Sequence, residues 1–337
     1  MKEAEIRPAE VHARYLALTR EDTETFFAEH EGWADCPCPG CGADDAATAF
    51  TKHGFRYVEC ARCRSLFVSP RPPQSALDRF YRDAPSSRFW AREFFPAVEE
   101  ARREKIIRPR VRRILDHPRL QRLGLDRPRV VDVGAGSGAF LTELLGAVPE
   151  AEAVAVEPGE DLAEQARARG LRVVEKPVEL CDELAAEADI VTSFEVIEHV
   201  HDPEAFVRAV ARLARPDGLI LVTGLNGDGL DVQVLWSESN AVSPPHHLNF
   251  LSVHGLESLF RRAGLAEVEV ETPGELDVEL VRKGLAEGLA PDAPRFLRLL
   301  LERRDADVGD RFQRFLREAK LSSHTWIWAT VANGSPV

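Results

Sequence analysis

Apolar and polar residues follow an alternating strand-and-helix pattern over much of this chain, beginning near residue 129. Residues 129–133 form a short apolar run, and Phe140, Leu144 and Val148 recur after it at helical spacing. Strands that alternate with helices favour a parallel sheet covered on both faces. We therefore predict an α/β fold with a doubly wound, seven-stranded, mostly parallel sheet, its strands at residues 129–133, 153–156, 171–174, 189–194, 219–223, 266–271 and 325–332.

The remaining segments divide the chain around this core. Prolines are unfavourable inside helices because they lack an N–H group, so breaks are predicted in the helical region before the core near Pro85, Pro96, Pro109 and Pro118. We expect a helical lead-in, a cysteine-rich module, a helical region that covers the substrate, the sheet core, a helical insertion, and the last core strand with a tail. In that order, these are residues 1–35, 36–68, 69–125, 126–275, 276–322 and 323–337.

The bulk composition narrows the class of protein. The chain has 337 residues, 44% of them hydrophobic, which is enough for a sizeable core. Its formal net charge of −13 disfavours nucleic-acid binding, which usually needs a basic surface. No apolar run approaches the roughly 20 residues that span a bilayer, and residues 1–10 lack the apolar stretch of a signal peptide. We expect a cytoplasmic protein without a membrane span, and its oligomeric state stays open.

Residues 79–129 are rich in arginine, although the chain as a whole is acidic. A run of charges of this kind is typical of a solvated helical face. It is also compatible with a docking surface for an anionic substrate or carrier. Both interpretations stay open at this point.

A glycine-rich turn, GAGSG at residues 134–138, joins the first strand of the core to its first helix. Glycine suits a tight turn and lets backbone N–H groups approach a ligand without a Cβ in the way. Glu157 ends the next strand, where an acidic side chain can accept both hydroxyls of a ribose. A dinucleotide-binding oxidoreductase would have the spacing G-x-G-x-x-G, whereas this chain has G-x-G-x-G preceded by Asp132.

This spacing resembles motif I of the class I S-adenosylmethionine-dependent methyltransferases. The run FEVIEHV at residues 194–200, with Asp202-Pro203 after it, resembles the segment after the fourth strand in the ubiquinone-pathway O-methyltransferases. The run HLNFLS at residues 247–252 is similar to a later segment of the same group, so the resemblance covers about residues 129–272. It implies S-adenosylmethionine as cofactor and the Rossmann-like fold of a type 23 methyltransferase domain.

The resemblance also implies which residues contact the cofactor. The glycine loop would wrap its amino-acid part, and Glu157 would hold its ribose. Residues 175–179 depart from the family, because they lack the usual acidic residue that contacts adenine directly after the third strand, so Pro177 and Val178 are taken instead. The predicted set is Asp132, Gly134, Ala135, Gly136, Gly138, Phe140, Glu157, Pro158, Pro177, Val178, Phe194 and Glu195.

Glu195, Glu198 and His199 follow the fourth strand, and a helical turn there would put them on one face. Two carboxylates and an imidazole could hold a divalent cation. In the ubiquinone-pathway O-methyltransferases the matching motif is associated with magnesium, which would orient an acceptor oxygen and lower its pKa. Many relatives keep the Glu–His pair for internal hydrogen bonds only, so both alternatives stay open.

His246 and His247 lie in the loop after the fifth predicted strand, at the ligand edge of such a sheet. Methyl transfer requires removal of a proton from the acceptor, for which histidine is suited near neutral pH. Hydrogen bonding of these histidines to the backbone is the structural alternative. The candidate catalytic residues are His247, His246, Glu195 and His199.

Five of the six cysteines lie within residues 36–63. Four of them form two C-x-x-C knuckles separated by 18 residues, which is typical of a four-thiolate zinc ribbon. Four thiolates complete the tetrahedron and leave no water site, so we predict a structural zinc ion. Cys36 could compete for the ion, and Cys181 is expected to be a buried small apolar residue. The predicted zinc ligands are Cys38, Cys41, Cys60 and Cys63.

The segment from Cys38 to about Tyr81 resembles the N-terminal part of zinc-containing methyltransferases of sugar and natural-product pathways. In those relatives the N-terminal region helps to cover the acceptor. Substrate contacts are therefore expected in this region, and the loop after the fifth strand offers two more. The candidates are Arg71, Tyr81, Arg88, Trp90, Asn226 and Trp236.

These observations favour a methyltransferase that acts on a small molecule, such as a natural product, a sugar or a quinone-like metabolite, with O-methylation favoured over N- or C-methylation. One alternative is an NAD(P)-dependent sugar oxidoreductase or epimerase, against which the glycine spacing and the lack of a Tyr-x-x-x-Lys pair count. Another is a non-catalytic zinc-ribbon adaptor with a methyltransferase-like fold. That alternative predicts a damaged glycine loop, and the loop is intact.

Overall fold

Two helices and three strands form the N-terminal part of the chain. The computed structural model describes residues 2–331. The strands pair in an antiparallel manner, and Phe55 and Tyr57 on the middle strand are fully buried. These elements are α1 (Glu3–Ile6), α2 (Ala9–Phe26), β1 (Ala46–Lys52), β2 (Phe55–Cys60) and β3 (Leu66–Val68).

A chain of helices leads from this part to the core: α3 (Gln74–Asp83), α4 (Pro85–Phe89), α5 (Phe95–Arg102), α6 (Arg108–Leu115) and α7 (Pro118–Leu123). Two π turns, Trp90–Phe94 and Arg103–Ile107, join α4 to α5 and α5 to α6. The predicted breaks near Pro96 and Pro109 are therefore wrong. Each proline lies in the first turn after a π turn, where the extra residue accommodates a ring that lacks an N–H group.

The strands that follow are β4 (Arg129–Val133), β5 (Glu152–Val156), β6 (Arg172–Val174), β7 (Ala188–Phe194), β8 (Ala214–Leu225), β9 (Asn249–Phe250), β10 (Leu265–Glu271) and β11 (His324–Val331). Seven of them form one sheet in the order β10-β11-β8-β7-β4-β5-β6. The pairs from β8 to β6 are parallel, and β11 is antiparallel to both neighbours. The predicted seven-stranded, mostly parallel α/β fold is confirmed.

Helices cover both faces of this sheet. They include α8 (Ala139–Ala147), α9 (Glu160–Ala168), α10 (Pro203–Leu213) and α12 (Val253–Arg262). Helix α11 (Leu230–Leu235), after β8, instead packs in two apolar clusters outside this sheet. Side chains along a strand alternate between the faces. In β4, Val131 and Val133 pack on the side that holds α10 and α12, and Val130 packs on the side that holds α6 and α8.

Strand β9 lies outside the large sheet and pairs with the N-terminal module. Leu66 of β3 lies opposite Phe250, and Phe67 lies opposite Asn249, which gives a second sheet with the order β1-β2-β3-β9. The sequence pattern predicted no strand at residues 249–250. This pairing attaches the cysteine module to the loop that follows β8.

Three further helices, α13 (Asp277–Ala286), α14 (Arg295–Glu302) and α15 (Ala306–Glu318), lie between β10 and β11 and form an apolar cluster together with α11. Strand β8 begins five residues before the predicted strand at 219–223, and Asp217 in this added part has φ +63°. Ala332 and the predicted tail lie outside the described residues. Within residues 2–331, no helix has the length and apolar character needed to cross a bilayer.

Candidate active site

The glycine loop between β4 and α8 has one position that faces open space. Gly134, Gly136 and Gly138 have φ values of +70°, +56° and +78°, a backbone region that favours glycine. A Cβ atom at Gly134 would lie 2.4 Å from Val196 Cγ2, and one at Gly138 would lie 2.3 Å from Leu171 Cδ1. At Gly136 it would meet no atom of the described residues within 4 Å. A ligand could therefore approach the backbone closely at Gly136.

Glu157, at the end of β5, holds this loop in place. Its Oε2 atom accepts a hydrogen bond from Gly136 N at 2.8 Å, and its Oε1 atom accepts one from Gly159 N at 2.9 Å. Burial raises the pKa of this carboxyl group, while the two N–H groups act in the opposite direction. A carboxylate has about four lone-pair positions, so both oxygens keep one for a further donor.

Asp132 lies under the loop instead of at its surface. Its side chain is buried, and Oδ1 accepts a hydrogen bond from Thr192 Oγ1 at 2.7 Å, which links β4 to β7. Burial raises the pKa of Asp132 to about 7. At this position Asp132 cannot make the predicted direct contact with a cofactor. Its side chain instead supports the glycine loop from the interior of the protein.

The other predicted cofactor residues lie along the carboxyl edge of the sheet. The rings of Phe140 and Phe194 are 4.7 Å apart in an edge-to-face arrangement beside the loop. Pro158 follows β5 and Pro177 follows β6, and both are exposed at the ends of these adjacent parallel strands. Val178 is buried in the core, so only its backbone is placed to face a ligand.

Glu195 comes directly after β7 and has a φ of +56°. Its Oε1 atom lies 3.1 Å from Arg110 Nη2 and accepts a hydrogen bond from Thr223 Oγ1 at 2.5 Å, while Oε2 lies 3.4 Å from His324 Nδ1. Burial raises the pKa of the Glu195 carboxyl, but its interactions with His324, Arg110 and Thr223 outweigh this effect and bring it below its ordinary value. Glu195 is therefore an ionised carboxylate with three partners.

The predicted cation set of Glu195, Glu198 and His199 is not formed. Residues 195–200 contain a bend and a turn but no helix, so the helical turn that the prediction required is absent. The ligand atoms that lie within 4.8 Å of one another belong to Glu198, His199 and His247. This set offers two imidazole nitrogens and one oxygen, whereas magnesium prefers oxygen ligands. The residues present do not fit magnesium.

His247 has a defined proton position. Its Nδ1 atom lies 2.5 Å from the carbonyl oxygen of Ala241. A carbonyl only accepts, so Nδ1 carries the proton and Nε2 keeps a lone pair. Burial lowers the pKa of His247 to about 4, against a smaller opposite effect of that hydrogen bond, so the ring is neutral at pH 7.

His246 and His199 complete a group of neutral rings. Burial lowers the pKa of His246 to about 3 and brings that of His199 well below its ordinary value. His246 Nε2 has no hydrogen-bond partner among residues 2–331. The His199 ring lies 4.8 Å from the His247 ring and 6.3 Å from the His246 ring. The predicted histidines are thus brought together at one place beside β7 and β8.

Two of the predicted substrate contacts are corrected, because they are buried structural groups. Arg71 donates hydrogen bonds to the backbone oxygens of Val68 and His201 and to Asn249 Oδ1. Asn226 donates to the backbone oxygens of residues 320 and 322 through Nδ2. Neither side chain is available to a substrate.

The other four predicted substrate contacts differ in position. Tyr81 is 38% exposed, and its hydroxyl lies 3.3 Å from His199 Nδ1, so it borders the histidine group. Trp90 stacks on Phe94 at 4.4 Å, and Arg88 is exposed on α4. Trp236 is half-buried and packs edge-on against Phe50 of the N-terminal module at 5.2 Å.

The structure adds residues to the site that the sequence patterns did not indicate. Arg110 lies with its guanidinium 4.8 Å from the centre of the Phe194 ring, and His324 comes from the last strand. Tyr15 of α2 lies 5.9 Å from the His246 ring, and burial raises the Tyr15 pKa to about 12. The arginine-rich stretch was the only signal that pointed toward Arg110; Tyr15 and His324 had none.

The four predicted zinc ligands form one cluster. Their Sγ atoms lie within 4.8 Å of one another, with Cys38 and Cys63 at 3.4 Å and Cys41 and Cys60 at 3.6 Å. Sulfur atoms about 2.3 Å from a tetrahedral zinc ion would be separated by about 3.8 Å, so this arrangement fits the ion. Cys36 is not part of the cluster, and Cys181 is buried, as predicted.

Comparison with known proteins agrees with this architecture. The chain matches the family model described as "Methyltransferase domain" over residues 99–270, which is about half of its length. The chain belongs to this methyltransferase domain family.

Curated relatives match a shorter segment. The ubiquinone biosynthesis O-methyltransferase of Xanthomonas oryzae pv. oryzae is 39% identical over 112 residues, which are 31% of this chain and 46% of that protein. The enzyme of the same name from Methylococcus capsulatus is 40% identical over 105 residues, or 29% of this chain and 44% of that protein. The match thus spans about half the length of these relatives. An S-adenosylmethionine-dependent methyltransferase from Thermotoga maritima, described as a possible histamine N-methyltransferase, aligns with a TM-score of 0.42 and 18% identity over 70% of this chain and 97% of that one.

Proposed function

We propose that this chain is an S-adenosylmethionine-dependent methyltransferase that methylates a small molecule, with oxygen favoured over nitrogen or carbon as the accepting atom. The observation that carries the proposal is the junction of the glycine loop with Glu157. Gly136 leaves room for a ligand at the backbone, and the Glu157 carboxylate keeps lone pairs beside it. This pair suits a nucleoside with an attached amino acid, and the preference for oxygen rests on the names of the curated relatives.

The cofactor supplies a methyl group on an activated sulfonium, so the protein has to position the acceptor and remove one proton. In this proposal the glycine loop holds the amino-acid part, Glu157 accepts hydrogen bonds from the ribose, and Phe140 and Phe194 line one wall. Pro158, Pro177 and the backbone at Val178 border the adenine side. These assignments are supported by the position of all these residues at the carboxyl edge of the sheet.

We assign proton removal to His247. Its Nε2 atom keeps a lone pair because Nδ1 is bound to the Ala241 carbonyl, and its lowered pKa keeps it in the basic form above about pH 4. His199 and His246 are neutral neighbours that line the pocket. A base with so low a pKa is weak in water, so its effect would depend on close alignment with the acceptor.

The cysteine cluster is proposed to hold a structural zinc ion. It would fix β1, β2 and β3 against β9 and thereby shape the histidine loop that joins β8 to β9. Because the four sulfurs fill all positions of a tetrahedral ion, the zinc would take no part in methyl transfer.

The first test is calorimetric binding of S-adenosylhomocysteine, S-adenosylmethionine and NADH to the purified chain. We expect S-adenosylmethionine and its demethylated product to bind with micromolar Kd, and NADH to show no binding. Binding of NADH alone would favour the oxidoreductase alternative, and binding of none of the three would favour the adaptor.

A matched pair of variants then tests the glycine loop. In Gly136→Asn, asparagine tolerates the positive φ but extends into the open space, so we expect Kd for S-adenosylhomocysteine to rise at least tenfold. Gly170→Asn is the control, because Gly170 has φ +81° and equally open surroundings at the end of α9. Equal Kd values for both variants would contradict the assigned role of Gly136.

A further inference from the structure

Three arginines converge on the pocket from the helices that precede the core. Arg110 of α6 contacts Glu195 and the Phe194 ring, Arg102 ends α5, and Arg7 follows α1. Arg110 has a counter-ion in Glu195. The half-buried guanidinium of Arg102 lies over the Phe95 ring, 5.7 Å from its centre. It has neither a hydrogen bond nor an ion pair with any residue from 2 to 331, and the same holds for the side chain of Arg7.

The π turn between α5 and α6 explains why two of these side chains meet. Arg102 and Arg110 are eight positions apart, which in a regular α-helix places them about 80° apart around the axis. The π turn Arg103–Ile107 inserts one extra residue, so the spacing becomes equivalent to about seven residues, or roughly two turns. Both side chains therefore lie on the helix face that covers the pocket.

The charges of the pocket do not balance. Burial, together with the positive charges of Arg110 and Arg7, lowers the pKa of the Arg102 guanidinium to about 10, so it stays charged at pH 7. Burial and the charge of Glu195 raise the pKa of Glu198 well above its ordinary value, so its charged form is disfavoured. With the histidines also neutral at pH 7, Glu195 is, among the described residues, the one carboxylate in an ion pair with any of the three guanidinium groups. The carboxyl group of Asp132 lies within the electrostatic range of Arg110, but burial raises its pKa to about 7.

A cationic cofactor does not correct this imbalance, since the sulfonium of S-adenosylmethionine adds a positive charge. An unpaired guanidinium in a half-buried position is costly and calls for an anion. The paired planar N–H groups of arginine suit carboxylate and phosphate oxygens.

We propose that Arg102 and Arg110, assisted by Arg7, bind a carboxylate or phosphate group of the methyl acceptor, so that the acceptor is an anionic small molecule. This inference rests on the proposed methyltransferase function and names the substrate class of the same site. The anionic group would be held over Phe194, with the methylated atom directed toward His247.

The test uses the zinc-loaded chain saturated with S-adenosylhomocysteine, titrated with inorganic phosphate and with malonate. We expect either anion to bind to the wild type, and Arg102→Met to weaken that binding at least tenfold, with a smaller loss in Arg102→Lys. Arg112→Met, an exposed arginine of α6, is the matched control and should stay within twofold of the wild type. Arg102→Met should also raise the melting temperature, because it removes an unpaired charge.

The arginines could instead bind the carboxylate of the cofactor. A second part of the experiment distinguishes this possibility from binding of the acceptor. Binding of S-adenosylhomocysteine is compared with that of 5′-methylthioadenosine, which lacks the amino-acid part. If Arg102→Met weakens only S-adenosylhomocysteine binding, the arginines hold the cofactor and the acceptor proposal is wrong. Absence of anion binding to the wild type would also overturn it.

The anion titration is repeated on the cofactor-free chain, so that failure of the proposed function is recognised separately. A chain that binds phosphate or malonate through Arg102 but binds no S-adenosylhomocysteine would contradict the methyltransferase proposal. In that case the chain would have an anion-binding site at Arg102, but the bound anion would not be a methyl acceptor.

Discussion

The buried histidines show how single residues depart from what their type suggests. A histidine in a loop after a strand at the sheet edge predicts a base that titrates near neutral pH. The structure instead surrounds His246 with the rings of Tyr15, Phe80 and Tyr81, and this burial lowers its pKa to about 3. Burial thus holds the His246 side chain in its neutral form.

We predict that His246 makes the protein less stable in mild acid. Between pH 6.5 and 3 the unfolded chain binds a proton at this position and the folded chain does not, so the free energy of unfolding falls as the pH falls through this window. At pH 5 the loss from this residue is about 2 kcal/mol. Urea unfolding of wild type and His246→Phe at pH 7.5 and pH 5 measures it, and the variant should lose less stability between the two conditions.

The control is His254→Phe, which replaces an exposed histidine on α12. It should keep the pH dependence of the wild type, including any part that comes from protonation of the cysteines. An unchanged pH dependence in His246→Phe would mean that His246 is not held neutral in the folded state.

At the scale of elements, the pairing of β3 with β9 connects the cysteine module to the site. Arg71 lies at this junction, since it donates to the Val68 carbonyl of β3 at 3.1 Å and to Asn249 Oδ1 of β9. Asn249 in turn donates to the carbonyls of Ile197 and Val200, which flank the Glu198–His199 turn. A buried network of this kind fixes the turn from which Glu198 and His199 project.

We predict that Arg71→Met lowers the free energy of unfolding by about 3 kcal/mol, because it removes three hydrogen bonds that a buried, charged donor makes. Arg64→Met is the matched control in the same module. Its side chain is 66% exposed and pairs with Glu59, so we expect a change below about 0.5 kcal/mol. Chemical denaturation of both variants makes the comparison, and similar losses in the two would argue against the proposed role of Arg71.

At the scale of the whole molecule, the cysteine cluster and the methyltransferase core form one structure. Strand β9 comes from the chain between β8 and α12, yet it completes the small sheet. Ser252 of the core, which caps α12, donates to the Cys63 carbonyl and lies 3.3 Å from Ser65 Oγ. Loss of a metal ion at the cluster should therefore also disturb the conformation of the active-site loop.

We predict one zinc ion per chain, and we expect Cys60→Ser to lose the ion and to lower the melting temperature by 10 °C or more. Cys36→Ser and Cys181→Ser are the controls, since neither residue belongs to the cluster, and both should keep full zinc content. Atomic emission spectroscopy and thermal unfolding provide the measurements. Full zinc content in Cys60→Ser would exclude the four-cysteine site.

Local patterns predicted the features whose causes are local. The strands of the core follow from apolar runs, and the positive φ values at Gly134, Gly136 and Gly138 follow from glycines placed between a strand and a helix. The zinc knuckles follow from cysteine spacing. By contrast, the prolines at 96 and 109 predicted breaks that do not exist, because a π turn upstream of each absorbs the missing hydrogen bond.

The site could be predicted only where one segment supplies all its parts. Arg110 and His324 meet at Glu195 although 214 residues separate them, and Arg71 reaches Asn249 across 178 residues. Patterns of local spacing in the sequence cannot predict contacts between residues so far apart. For this reason the predicted grouping of Glu195 with Glu198 and His199 is wrong. The predicted substrate contact of Arg71 is wrong for the same reason, because Arg71 is a buried structural donor.

The sequence by itself determined the α/β core, the glycine loop with Glu157, and the four-cysteine cluster, because each depends on the order and spacing of nearby residues. Only the tertiary structure decided which side chains face the pocket and which charges they carry. It placed Arg102 and Arg110 on one helix face and kept the three histidines neutral by burial. The charge and protonation of a side chain depend on its surroundings, which folding brings together from distant segments. These charges and protonation states determine which acceptor the pocket can bind.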